Sequence, residues 1–205
     1  MKNIILVLAI LGTHAVIAQN VVTVELKSFY TDGIKKAGFT QKYYKDIQNN
    51  FLPFLGTWKY QNGNQTFLVK LWKVTKEPYS ETGNPVYYID EIRGHYKLVE
   101  NYGLPNETII YTSEKNIGVT GSPWPCVIFA DATVPNILHG RLYDVAGPLN
   151  VNYQMGVFGY VDMVIQPGSP VRATWIVEPA KKEWFAADEP RDFTIPTNVT
   201  LTKVN

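Results

Sequence analysis

The chain has 205 residues, 45% of them hydrophobic and 18% charged, with 19 basic against 18 acidic side chains and a single cysteine. That balance excludes a nucleic-acid binder working through a general basic field, and a lone cysteine excludes an intrachain disulfide framework. Beyond the first 20 residues no apolar stretch approaches the ~20 needed to cross a bilayer as a helix, so no membrane-spanning segment is expected.

Residues 1–18 read as an export signal. Lys2 supplies the positive start, Ile4 to Ile10 an apolar run, and Val16-Ile17-Ala18 the kind of segment that a signal peptidase reads. Cleavage after Ala18 leaves residues 19–205 as one domain with 18 basic and 18 acidic residues, destined for the periplasm or the exterior. A chain of that size buries roughly 70% of its unfolded surface and needs no covalent staples. No cysteine stands at the cleavage site, where Gln19 and Asn20 follow Ala18, which argues against a lipid-anchored lipoprotein. Asn64-Gln65-Thr66, Asn106-Glu107-Thr108 and Asn198-Val199-Thr200 match glycosylation acceptors, but in a bacterial chain they are ordinary turn and strand residues.

Val22 to Phe29 is a candidate extra strand. Thr40 to Phe51 predicts one short helix, with Thr40 as its cap and Tyr44, Ile47 and Phe51 on one face. From Thr66 to Thr75, Phe67, Val69 and Leu71 alternate with polar residues, the sign of a half-buried strand. Glu77-Pro78 and Gly83-Asn84-Pro85 read as turns. Tyr87 to Val99 is a second long strand, bent or bulged at Gly94. Shorter candidates lie at Thr108 to Tyr111, Cys126 to Ala130, Ile137 to Tyr143 and Val151 to Val157. Val161 to Ile165 and Val171 to Val177 flank a turn around Gly168; centring there opposes Val161, Met163 and Ile165 to Trp175, Ala173 and Val171, and makes Asp162 and Arg172 diagonal neighbours. Thr197 to Val204 closes the pattern. The expectation is an all-β, antiparallel barrel of eight to ten strands preceded by a short helix, with a two-sheet sandwich as the alternative.

The most informative string is Phe54-Leu55-Gly56-Thr57-Trp58-Lys59-Tyr60-Gln61-Asn62-Gly63. Gly56 allows close approach where the chain enters a strand, Trp58 is large enough to plug one end of a barrel, and Asn62-Gly63 is a turn dipeptide. Gly56-Thr57-Trp58 at the head of a first barrel strand resembles the lipocalin and fatty-acid-binding (calycin) signature. The longer string, with Lys42 to Asp46 before it and Tyr87-Tyr88-Ile89-Asp90 after it, is similar to an uncharacterised family of small exported flavobacterial (Bacteroidota) proteins. The calycin resemblance implies a late-strand arginine laid across Trp58. The terminal strand offers only Lys203, with Arg172 one strand earlier.

Catalytic chemistry finds no assembly of residues in the sequence. The two histidines of the mature chain, His95 and His139, lack metal-ligand spacing, and no cysteine or carboxylate cluster accompanies them. Neither a metal nor a cofactor is expected. A Cys126–His139 dyad is conceivable, but Cys126 lies in an apolar run and reads as inert core. His95 alternates with Glu91 and Arg93, placing it on a solvated or barrel-lining polar face. Asp90 and Glu91 point to opposite sides of a strand and cannot act jointly. Trp72, Tyr88 and Tyr96 occupy even positions of the two long strands and form the candidate ligand-binding face. The function expected is an exported, non-enzymatic binding protein holding a small amphipathic ligand in the barrel mouth. Alternatives are a surface interaction module that engages an envelope protein as an inhibitor or adhesion domain, and, further off, an extracellular hydrolase.

Overall fold

The computed structural model describes residues 21–32, 41–80, 85–115, 125–146, 156–180 and 192–204. The export signal at 1–18 and the candidate strand over 151–155 lie outside these residues. Within them run β1 (Val21–Glu25), α1 (Ser28–Asp32), β2 (Gln41–Lys45), β3 (Gly56–Asn62), β4 (Gln65–Ser80) and β5 (Pro85–Glu100). Then follow β6 (Thr108–Thr112), β7 (Ile128–Val134), β8 (Ile137–Asp144), β9 (Val157–Gln166), β10 (Arg172–Pro179) and β11 (Asn198–Val204). Eight strands in the order β5-β4-β3-β11-β10-β9-β8-β7 pair antiparallel, and β7 pairs back onto β5 through Ile92–Ala130 and Gly94–Ile128. That last ladder closes the sheet into a calycin-like barrel and sets aside the sandwich.

Period-two alternation decides which residues fill the interior. Phe67, Val69 and Leu71 of β4, Val161 and Met163 of β9, and Ala173 and Trp175 of β10 point inward and are at most 2% exposed. Met163 lies opposite Trp175, and the Phe67 ring sits between Tyr96 (centroids 5.9 Å apart) and Trp175 (6.4 Å). Trp58, Trp175, Tyr96 and Phe67 are among the largest fully buried side chains, so the middle of the barrel is filled by protein.

β5 is long enough to take three partners along one edge. It pairs with β2 through Tyr87 to Ile89, with β7 through Ile92 to Gly94, and with β6 through Lys97 to Glu100. Gly94 marks the crossing. A Cβ there would come within 2.6 Å of the Leu71 side chain and 2.8 Å of the Lys70 carbonyl oxygen, so only glycine fits. Before Ile92, β5 turns away from β7 to join β2, which runs parallel to both β5 and β1. The two directions leave a fork in the barrel wall.

Three local expectations are corrected. The helix expected over Thr40 to Phe51 does not form: Gln41–Lys45 is strand β2, and the helix is α1, between β1 and β2. Asp46 breaks the helical pattern by accepting the Asn50 amide (2.7 Å) and the Phe51 amide (3.3 Å), which fixes a turn. The Glu77-Pro78 turn is instead a β4 irregularity between Val74 and Glu77, with Lys76 at φ 54°, after which the strand continues to Ser80. The β9–β10 register is displaced by two residues, opposing Val161 to Val177 and Ile165 to Ala173. The inward face survives this shift because the displacement is even. Asp162 is carried away from Arg172 and bonds His139 instead (2.6 Å).

Candidate functional site

Gly56, Thr57 and Trp58 open β3 as expected, with Trp58 fully buried. Its indole N–H donates to the Phe54 carbonyl (2.7 Å), and the Lys203 ammonium stands 5.4 Å from the ring centroid while donating to the Pro53 carbonyl (2.8 Å). Lys203, not Arg172, takes the place that the calycin resemblance gives to an arginine. Burial holds the Lys203 amine below its ordinary range. Gly56 is required by its φ of 111°, a region closed to ordinary side chains, and less by close packing, since the nearest atom to a Cβ would be 3.6 Å away.

The structure does not bring Trp72, Tyr88 and Tyr96 together. Val69 pairs with Tyr96 and Trp72 with Arg93, so even residues of β5 share a face with odd residues of β4. Tyr96 therefore points into the core, where its hydroxyl donates to Asp144 (2.9 Å) and accepts the Val145 amide (2.7 Å). Trp72 lies on the outer face beside His95, their ring centroids 5.6 Å apart. Tyr88 comes after the β4 irregularity, opposite Pro78 and under the Lys76 ammonium (5.1 Å).

His95 is not solvated: it is buried, with Nδ1 2.9 Å from the Ser113 hydroxyl, which itself accepts the Tyr96 amide (2.9 Å). The Ser113 proton is then directed at Nδ1, which fits a neutral ring protonated at Nε2. Burial holds its pKa below the ordinary histidine value. Cys126 is fully buried, and burial pushes its thiol up to about 11. His139 lies exposed on the outer face, bonded to Asp162.

A buried charge cluster lies behind the fork. The Lys73 ammonium is 3.1 Å from a carboxylate oxygen of Asp46 and 3.1 Å from one of Asp90, both carboxylates being almost wholly buried. Asp90 also accepts the Tyr43 hydroxyl (2.5 Å), the Lys76 amide (3.0 Å) and the Asp46 amide (3.1 Å). Burial works against the Asp90 charge, but these donors outweigh it and hold the carboxyl below its ordinary value. Every oxygen is engaged within the fold, so the cluster fastens β2, β4 and β5 together.

The candidate site is the fork itself, a cleft of about 440 Å³ on the outside of the barrel. One wall is formed by Phe29 and Tyr30 of α1 with Tyr79 and Tyr87, whose rings stack at 4.7 Å. The floor is the outer face of β7, β8 and β9, where the ladder aligns two rows: Phe129–Arg141–Tyr160 and Asp131–His139–Asp162. The Arg141 guanidinium lies 5.3 Å from the Phe129 centroid. Tyr30 reaches across to donate to the Asp131 carboxylate, and burial pushes that carboxyl above its ordinary value. Two smaller hollows flank the barrel. One, of about 290 Å³, is bordered by Lys70, His95 and Lys97; the other, of about 270 Å³ at a barrel mouth, is lined by Tyr60, Phe67, Leu98 and Tyr111. The 440 Å³ cleft falls within the ~300–1,000 Å³ typical of small-molecule sites, and the two hollows lie just below it.

Sequence reasoning missed this cleft because none of its walls is continuous in the chain. The available signals were Tyr79 and Tyr87 on either side of a turn and a 16-residue β5 too long for one partner. A family model covers residues 1–204. The chain belongs to DUF6705, a family of unknown function. Comparisons with curated proteins and with solved structures gave no match.

Proposed function

We propose that this DUF6705 member is an exported, non-enzymatic binding protein that takes a small amphipathic ligand in the fork cleft. The observation carrying the reading is the composition of that 440 Å³ space: aromatic rings from five elements surround a few fixed polar groups, Asp131, His139 and Arg141. Rings supply apolar contact and the polar groups supply direction, the usual division of labour in a ligand site. The barrel-mouth location expected from sequence is less favoured, because the interior is occupied by Trp58, Phe67, Tyr96 and Trp175. Export is supported by the signal-like residues 1–18 and by the similarity of the Gly56 to Gly63 string to exported flavobacterial proteins.

The test is native mass spectrometry of the protein purified from its own envelope. A co-purified small molecule, lost in a Tyr79→Ala/Tyr160→Ala variant that keeps its far-ultraviolet circular dichroism, is expected. A bare protein, or a molecule retained by the variant, refutes the cleft. A second reading, an interaction module, is supported by β6, an edge strand that presents Ile109 and Ile110 to solvent at 58% and 46% exposure. Capture of an envelope protein that Ile110→Lys abolishes would favour it over the small-ligand reading.

A further inference from the structure

We infer that the ligand of the fork cleft is a saccharide bearing a carboxylate, and that Arg141 is the residue that selects the carboxylate; this rests on the cleft being the binding site. The argument begins with the charges around it. Asp90 lies 3.1 Å from Lys73, which it shares with Asp46, Glu91 lies 3.1 Å from Arg93, which also binds Glu77 at 2.7 Å, and Asp162 bonds His139 at 2.6 Å. Asp131 receives the Tyr30 hydroxyl. Each carboxylate at the cleft or behind it therefore has a donor within the fold. Arg141 does not have a matching acid: among the described residues no ion pair or hydrogen bond engages its guanidinium, which lies only against the Phe129 ring.

That contact leaves a cation placed and unneutralised. The guanidinium is placed over Phe129, and with no acceptor for it among the described residues its N–H groups are available for a two-pronged grip on a carboxylate. Arg141 is also held laterally, because β8 lies between β7 and β9 and the ladder sets Arg141 level with Phe129 and Tyr160. An anion there would meet the cleft cation that, among the described residues, no acid of the fold engages.

The rest of the cleft decides what carries the carboxylate. Tyr79, stacked on Tyr87, and Tyr160 are 43% and 40% exposed, and such accessible ring surface suits the C–H face of a pyranose. One residue row away, Asp131 and His139 place acceptor and donor atoms where ring hydroxyls need both. A flat aromatic acid would use the tyrosines and Arg141 but leave that second row unanswered. A fatty acid would need a long apolar tunnel, and the barrel interior is filled. An acidic sugar uses both rows.

The experiment is isothermal titration of the full chain with trigalacturonate and with its methyl ester, which keeps the ring faces and removes the charge. Wild type is expected to bind the acid at least tenfold more tightly than the ester, with only the acid weakened by raising salt. Arg141→Gln should erase that preference, weakening the acid at least tenfold more than the ester, and Arg141→Lys should restore part of it. Arg141 is exposed, so the variants should keep the wild-type circular dichroism. Equal binding of acid and ester by wild type, or a preference that survives Arg141→Gln, overturns the role of Arg141 and leaves the cleft standing. Binding of neither overturns the saccharide inference, and an aryl carboxylate such as 4-hydroxybenzoate binding in their place would move the ligand class to aromatic acids.

Discussion

Replacing Lys73 with Met preserves the length of the side chain and removes the cation between two buried carboxylates. In the wild type, one ammonium serves Asp46 and Asp90 at 3.1 Å each, and its side chain is 22% exposed. Taking one partner from a buried ion pair costs ~3–5 kcal/mol, because the remaining charge is left without compensation. Two circumstances set the value here near the lower end. The site is reachable by water at Lys73, and Asp90 keeps its bonds from Tyr43 and the Lys76 and Asp46 amides. We expect a loss of about 3 kcal/mol at pH 7, or about 6–12 °C in Tm for a domain of this size.

The deficit should also depend on pH. In the wild type, the lowered Asp90 pKa contributes stability that is fully present above the unfolded value near 3.8 and is lost as pH falls through the folded value. Without Lys73, the two carboxylates face each other and a proton relieves their repulsion. The gap between the proteins should therefore narrow as pH falls below about 4. Urea titrations followed by tryptophan fluorescence at pH 7 and pH 3 measure both effects. A deficit under about 1 kcal/mol, or one unchanged at pH 3, would show that the cluster is solvated and does not fasten the fork.

Trp58→Ala should cost ~3–5 kcal/mol in the same titration, since it empties the barrel end beneath Lys203. A loss below about 1 kcal/mol would remove Trp58 from the core. Tyr96→Phe should cost ~1–3 kcal/mol by depriving Asp144 and the Val145 amide of a buried partner, whereas Trp72→Ala, on the outer face, should stay near ~1 kcal/mol. The reverse order would contradict the β4–β5 register. Cys126 should label slowly with a thiol reagent at pH 8 in the native state and rapidly in denaturant, because burial pushes its thiol up to about 11. Equal rates in the two states would show an accessible thiolate.

Much of the barrel is legible in the sequence because strand alternation is local. The inward sets Phe67-Val69-Leu71 and Val161-Met163 follow from period two alone, and they survive even the two-residue displacement of β9 against β10. The turn after Asn62 is legible too, with Gly63 at φ 61° as the left-handed residue such a turn needs. The Trp58 plug was readable from one short string, and Lys203 was the one basic residue in the terminal strand that could meet it.

What the tertiary structure decided is everything that depends on pairing parity and on partners distant in the chain. Trp72 and Tyr96 share strand parity, yet Val69 opposite Tyr96 puts them on opposite faces, because an odd register sum joins odd residues to even ones. Thr40 to Phe51 has helical spacing, but β1 and β5 capture its first half as a strand and Asp46 turns its second. The fork exists only because β5 changes partner from β7 to β2, a choice made by ladders between residues more than 30 positions apart. Local pattern fixes which way a side chain points along its own strand. Only the assembled ladder fixes which strand lies beside it, and the cleft is a consequence of that neighbour.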